Sequence, residues 1–161
     1  MGSKYILLLI LSTCLSCSIL RKSSMPLNDV HYIQCIGKEL DGSVTLISTG
    51  SGRNKRDAMS QAKKNALHQV IFIGTDSKNN TCLNRPLVGE VNAIEKYAVF
   101  FNEFFKDKGE FRNYVTRKDE KLINKFNNYV GTNKYEVTFS ITLRVKVPEL
   151  TNLLKKNSII K

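Results

Sequence analysis

One stretch limits the folds open to this chain more than any other. Residues 135–147 read Tyr-Glu-Val-Thr-Phe-Ser-Ile-Thr-Leu-Arg-Val-Lys-Val. Tyr135, Val137, Phe139, Ile141, Leu143, Val145 and Val147 are apolar, and every position between them is polar. Successive side chains of a strand point to opposite faces, so the pattern demands one buried and one wetted face. At about 3.3 Å per residue such a strand would run roughly 40 Å. Pro148 then closes the strand and opens a helix, with Leu150, Leu153 and Leu154 on one side and Lys155 and Lys156 near its end. A sheet wetted on one face needs helices on the other.

Val30 to Gly37 and Ser43 to Thr49 read as two more strands, with Ile33, Cys35, Val44, Leu46 and Ile47 apolar. Asp41-Gly42 between them predicts a tight type I′ hairpin. Gly50-Ser51-Gly52 follows and reads as a flexible strand-to-helix corner. It fails as a phosphate-binding fingerprint, because no third glycine and no P-loop Lys-Ser/Thr pair accompany it. A helix starts at the cap Asn54, with Asp57 in its first turn. Ala58, Met59, Ala62, Ala66, Val70 and Ile73 share one face, and the alanines recur every four residues, so the backbone can lie close against the sheet. Lys55, Arg56, Lys63 and Lys64 stand on or beside the other faces: a candidate anionic-ligand patch, or an ordinary solvated surface. Val70 to Ile73 is apolar all round, and Gly74 ends the helix.

Thr75 to Gly89 reads as a polar loop long enough to be functional or mobile. Val91 to Phe105 reads as a second helix. Val91, Ile94, Tyr97, Ala98, Phe101, Phe104 and Phe105 form its apolar arc, with Phe100 at the edge; the arc is core, or in part a docking groove for a partner. Lys108-Gly109 breaks it, and Phe111 to Thr116 reads as a strand. Lys118 to Lys134 fits a short helix or a twisted strand, and Ile159-Ile160 should pack. The expected fold is α+β: a single domain, an antiparallel sheet with two main helices on one face and a short C-terminal helix.

Residues 1–16 read as a leader rather than fold. Lys4 precedes the apolar run Ile6 to Leu11, then small residues and the cysteines Cys14 and Cys17. This is the charged start, greasy middle and small-residue end of a secretory signal, too short to span a bilayer comfortably. A cysteine at the processing site resembles a bacterial lipoprotein signal, in which that cysteine is acylated. Cys17, preceded by Ser16, is favoured; Cys14, with Leu11 three residues before it, is the alternative. A soluble secreted chain and a signal anchor are the competing readings. Residues 17–29 form a tether carrying Arg21 and Lys22, and residues 30–161 the domain.

The chain has 161 residues and a net charge of +11, of which the leader contributes only Lys4. Such charge suits nucleic acid, anionic lipid or acidic polymer. A chain tethered outside the cytoplasm points away from nucleic acid, towards lipid head groups, cell-wall polymer or an acidic protein. Cys35 and Cys82 could pair in an oxidising envelope or remain two buried thiols. No metal or cofactor motif is present, His31 and His68 lack neighbouring ligands, and Glu90 and Glu95 stand alone. No catalytic residues are assigned.

The leader, the strand pair, the alanine-striped helix after Gly50-Ser51-Gly52 and the long terminal strand resemble those of small Gram-negative outer-membrane lipoproteins. From about Val30 to Leu154 the pattern is similar to the N-terminal helix-on-sheet domain of flagellar assembly protein T. The resemblance implies a lipid-anchored, non-enzymatic scaffold or assembly role with envelope protein partners. Ser18 after Cys17 implies sorting to the outer membrane, periplasmic face. The alternative is a binding module for an anionic envelope ligand: polysaccharide, lipid head group or peptidoglycan fragment.

Overall fold

A computed structural model describes residues 32–75, 82–117, 128–132 and 136–161. The leader, Cys14, Cys17, the tether, His31 and most of 118–134 lie outside the described residues.

Strands β1 (Ile33–Lys38) and β2 (Val44–Gly52) form an antiparallel hairpin. Its turn is not type I′. Gly42 N–H donates to the Glu39 carbonyl and Glu39 N–H to the Ser43 carbonyl, and within the turn only Gly42 has positive φ. A type I′ turn needs positive φ at Asp41 as well; this is the three-residue loop with a left-handed glycine at its end. Asp41 holds it by accepting from Ser43 N–H at 2.9 Å and from the Ser43 hydroxyl. Those bonds depress the Asp41 carboxyl below its ordinary range.

Helix α1 (Lys55–His68) follows directly, capped by the Asn54 side chain, which accepts from Asp57 N–H at 3.0 Å. It passes into a π-helical turn, Gln69–Ile73, closed by Gly74 at φ 85°. The wider turn rotates the apolar stripe. Val70 and Ile71 are buried, whereas Ile73, expected on the buried face, is 57% exposed. Cys82 is bonded to Cys35 across a sequence separation of 47, with Cα atoms 6.4 Å apart. Beyond it, Leu87 and Val88 N–H donate to the carbonyls of Val70 and Ile71, tying the loop to the π turn.

The second helix is interrupted. Helix α2 (Ala93–Lys96) and helix α3 (Ala98–Phe105) meet at Tyr97, whose φ of −110° and ψ of 31° leave helical geometry. Val91 and Ile94, both expected in the buried arc, are 96% and 40% exposed, the helix beginning only at Ala93, while Phe101, Phe104 and Phe105 are buried. Phe111 begins no strand. It anchors a 3₁₀ turn, Glu110–Asn113, and strand β3 is only Val115–Arg117.

Strand β4 (Asn128–Thr132) and strand β5 (Val137–Val145) complete a five-stranded antiparallel sheet. β5 is central: β2 pairs along one edge, and β3 and β4 pair with successive parts of the other. At nine residues it spans roughly 30 Å, shorter than the alternation implied: Glu136 and Lys146 lie outside it, and helix α4 (Val147–Lys156) takes Val147.

The register places Val44, Leu46, Ser48, Gly50 and Gly52 beside Val145, Leu143, Ile141, Phe139 and Val137 on one face. α1 covers this face. Phe101, Phe104, Phe105 and Phe111 join the same core from α3 and the 3₁₀ turn, and Leu150, Leu154 and Ile159 from the C-terminal segment. The other face carries hydroxyls, among them Thr45, Thr49, Ser51, Thr138, Ser140 and Thr142. There Glu39 accepts from the Thr45 hydroxyl at 2.7 Å and pairs with Arg144 at 3.6 Å.

Gly50 and Gly52 are therefore strand residues, not a corner. A Cβ on Gly50 would overlap Ala62 N and Ala58 O and stand 2.8 Å from Ala62 Cα; one on Gly52 would stand 2.6 Å from Ala58 N. The alanine stripe of α1 meets a glycine stripe of β2, so backbone lies on backbone. Two bonds cross the seam: the Ser48 hydroxyl donates to the Ala62 carbonyl at 2.9 Å, and Asn65 Nδ2 to the Thr49 carbonyl at 2.8 Å.

Candidate functional site

Because the alanines of α1 are pressed to the sheet, its charged residues are carried outward. Lys55, Met59 and Lys63 stand four residues apart in one column, with Arg56 and Ser60 in the next. The 3₁₀ turn after α3 approaches this face and adds Arg112. Together Lys55, Arg56, Met59, Ser60, Lys63 and Arg112 line an open groove of about 590 Å³. Four of the six are cations, and none is acidic.

The electrostatics centre on Lys63. Burial, and then the nearby charges of Arg112 and Arg117, push its ammonium below the ordinary lysine range. Its neighbours on the groove wall hold aromatic contacts. Lys55 Nζ lies 5.5 Å from the Phe139 ring centroid, and the Arg112 guanidinium 5.8 Å from that of Phe111.

Of the four cations singled out in the sequence, Lys55, Arg56 and Lys63 come together. Lys64 does not. One residue further round the helix, it does not line the groove; its Nζ pairs with Asp107 at 3.1 Å and lies 5.5 Å from the Phe111 ring centroid. Its side chain is 13% exposed, while that of Asp107 is 92% exposed. The bond from Lys64 lowers the Asp107 carboxyl. Arg112 was the residue missed. Read as part of a strand it had no reason to approach α1; the chain reversal after Phe105 brings it there, and no local pattern marks that.

The remaining candidates form no site. His68 packs against Phe72, with ring centroids 5.0 Å apart. Glu90 pairs with Lys96 at 2.8 Å, a bond that raises the lysine, and Glu95 is exposed on α2. Among the described residues no group of three or more His, Cys, Asp or Glu could hold a metal ion, and no helix is long and apolar enough to cross a membrane.

The groove can hold an anion. It offers two guanidinium forks, two ammonium groups and the Ser60 hydroxyl, donors only apart from that hydroxyl. No protein-family model, curated protein or solved structure matches the chain, so the site is read from its own geometry.

Proposed function

We propose that the chain is a non-enzymatic, lipid-anchored module of a bacterial envelope that holds an anionic envelope ligand in the α1 groove. One observation carries the reading: four cations from two distant segments converge on a single groove, and none of its described lining residues is a carboxylate. Several cations elsewhere in the described structure have acidic partners, as in Arg53 with Asp57, Lys64 with Asp107, Lys96 with Glu90, and Arg144 with Glu39. The leader and Cys17 support a tether, and a disulfide suits an oxidising compartment. Scaffolding of a larger outer-membrane or periplasmic complex is the wider form of the same reading: lipid at one end and groove at the other would join the membrane to an anionic structure.

Two measurements test it. Metabolic labelling with a fatty acid should mark the chain and be abolished by Cys17→Ala; an unlabelled chain removes the tether. Retention on an immobilised anionic envelope polymer should fall with salt, and vanish when Lys55, Arg56, Lys63 and Arg112 are neutralised together. Retention that survives that change removes the groove.

A further inference from the structure

We infer that the group this groove is built to take is a phosphate, borne by a molecule about the size of a lipid head group, with Lys63 and Arg112 as its principal contacts; this rests on the anion-binding reading above. Lys63 is half-buried on α1, in the column of Lys55 and Met59, and lines the groove with Arg112. A partly buried charge facing like charges is costly unless an opposite charge joins it. None of the described lining residues supplies that charge, and a bound anion would.

The arrangement favours phosphate over carboxylate. A carboxylate carries one charge on two oxygens in a plane, and a single guanidinium fork satisfies it. This groove presents cations from two sides: Arg56 and Lys63 with the Ser60 hydroxyl from α1, and Arg112 from the 3₁₀ turn. Donors approaching from different directions match a tetrahedral group with three or four oxygens and up to two charges. Met59 and the methylene stems of Lys55 and Lys63 give the same groove an apolar part, which a bare ion would leave unused. A volume of about 590 Å³ falls in the range of sites for small organic ligands. A phospholipid head group and a soluble phosphorylated glycerol or sugar share this chemistry.

The test uses the full processed chain in neutral detergent at 0.15 M salt. Glycerol phosphate and acetate are titrated by calorimetry, and polygalacturonate is the carboxylate polymer. Vesicles of phosphatidylglycerol and of phosphatidylcholine form the second arm. Glycerol phosphate should bind at least tenfold more tightly than either carboxylate. Arg112→Gln and Lys63→Met should each weaken it tenfold or more, with Arg56→Gln as the substitute should Lys63→Met not fold. Lys64→Gln, which removes the same charge from the same helix but outside the groove, should change binding less than twofold. Preference for phosphatidylglycerol vesicles that Arg112→Gln abolishes identifies a lipid source; binding of glycerol phosphate without that preference identifies a soluble one, and both support the inference. Carboxylates bound as tightly as phosphate, yet still sensitive to Arg112→Gln, overturn the phosphate and leave the groove. Equal losses in Lys64→Gln and Arg112→Gln, or no anion sensitive to Arg112→Gln in a folded protein, overturn the groove itself.

Discussion

Where α1 crosses β2 the core is made from small residues; where α3 folds over the end of α1 it is made from large ones. At the seam Gly50 and Gly52 face Ala58 and Ala62, and main chain rests on main chain. At the aromatic end Phe72 meets Phe101 edge-on at 4.9 Å, Phe104 meets Phe105 at 4.8 Å, and Phe100 stacks on Phe104 at 5.7 Å. Each interface buries apolar surface, but they fail differently. Side chains can shift rotamer to absorb a change, whereas a backbone in contact with a backbone has nothing that can move alone. The seam therefore fixes the position of α1, and with it the groove; the aromatic end supplies burial and delivers Arg112 through the turn that Phe111 anchors.

Gly50→Val should break the comparison most severely. The added atoms meet Ala62 N and Ala58 O, so α1 must leave the sheet or the strand must distort. A loss of more than about 5 kcal/mol is expected, in the exceptional range for one substitution, and denaturant titration should find little folded protein. Phe104→Ala removes a larger group yet should cost about 3–5 kcal/mol, because the surrounding rings can partly close the space. If the alanine variant proves the more damaging, the aromatic end rather than the seam holds the domain together.

The two regions also differ in how far the sequence reveals them. Ala58, Ala62 and Ala66 advertise a close-packed helix, and the cap at Asn54 and the alternation through Val145 are local signals that the structure retains. Gly50-Ser51-Gly52 misleads, since glycines usually mark turns; here the reason for them is six to twelve residues further on, in the helix, and only the folded register shows it. In the aromatic stretch the periodicity from Val91 is correct for α3 but does not cross Tyr97, where no glycine or proline announces the break. The π turn hides in the same way, because Val70 to Ile73 is apolar whichever residue faces inward. The site divides along this line: Lys55, Arg56 and Lys63 follow from helical spacing, whereas Lys64, engaged by Asp107 and Phe111, and Arg112 depend on tertiary structure alone.

The disulfide lies between these extremes, joining the edge strand β1 to the loop beside the π turn. Chain-entropy reasoning for a loop of this length gives roughly 4 kcal/mol, and measured losses are commonly smaller, so Cys35→Ser with Cys82→Ser should cost about 2–4 kcal/mol. The same double substitution sharpens the contrast. The seam does not use the bridge, so groove affinity per folded molecule should be unchanged; a loss of affinity with the fold intact would show that β1 helps to position α1.

The smallest effect carries the opposite sign. Lys63 titrates below its ordinary value in the folded chain because burial, Arg112 and Arg117 disfavour its charge. The unfolded chain then binds more protons than the folded one between the lowered value and the ordinary 10.5, so this contribution to stability rises with pH across that window. Below the window the penalty is fully present, neutral pH included. Lys63→Met keeps an apolar stem and removes the charge, so it should stabilise the protein at pH 7 by up to about 0.5 kcal/mol, solvent exposure limiting the gain. Its advantage over the parent should shrink as pH climbs through the window. Thermal melts at pH 7 and pH 10 would read both effects. A variant less stable at pH 7, or an advantage independent of pH, would mean that Lys63 already has an acidic partner within its own chain. The expected result is the reverse: a residue that costs stability and contributes binding, on a helix that the glycine seam holds in place.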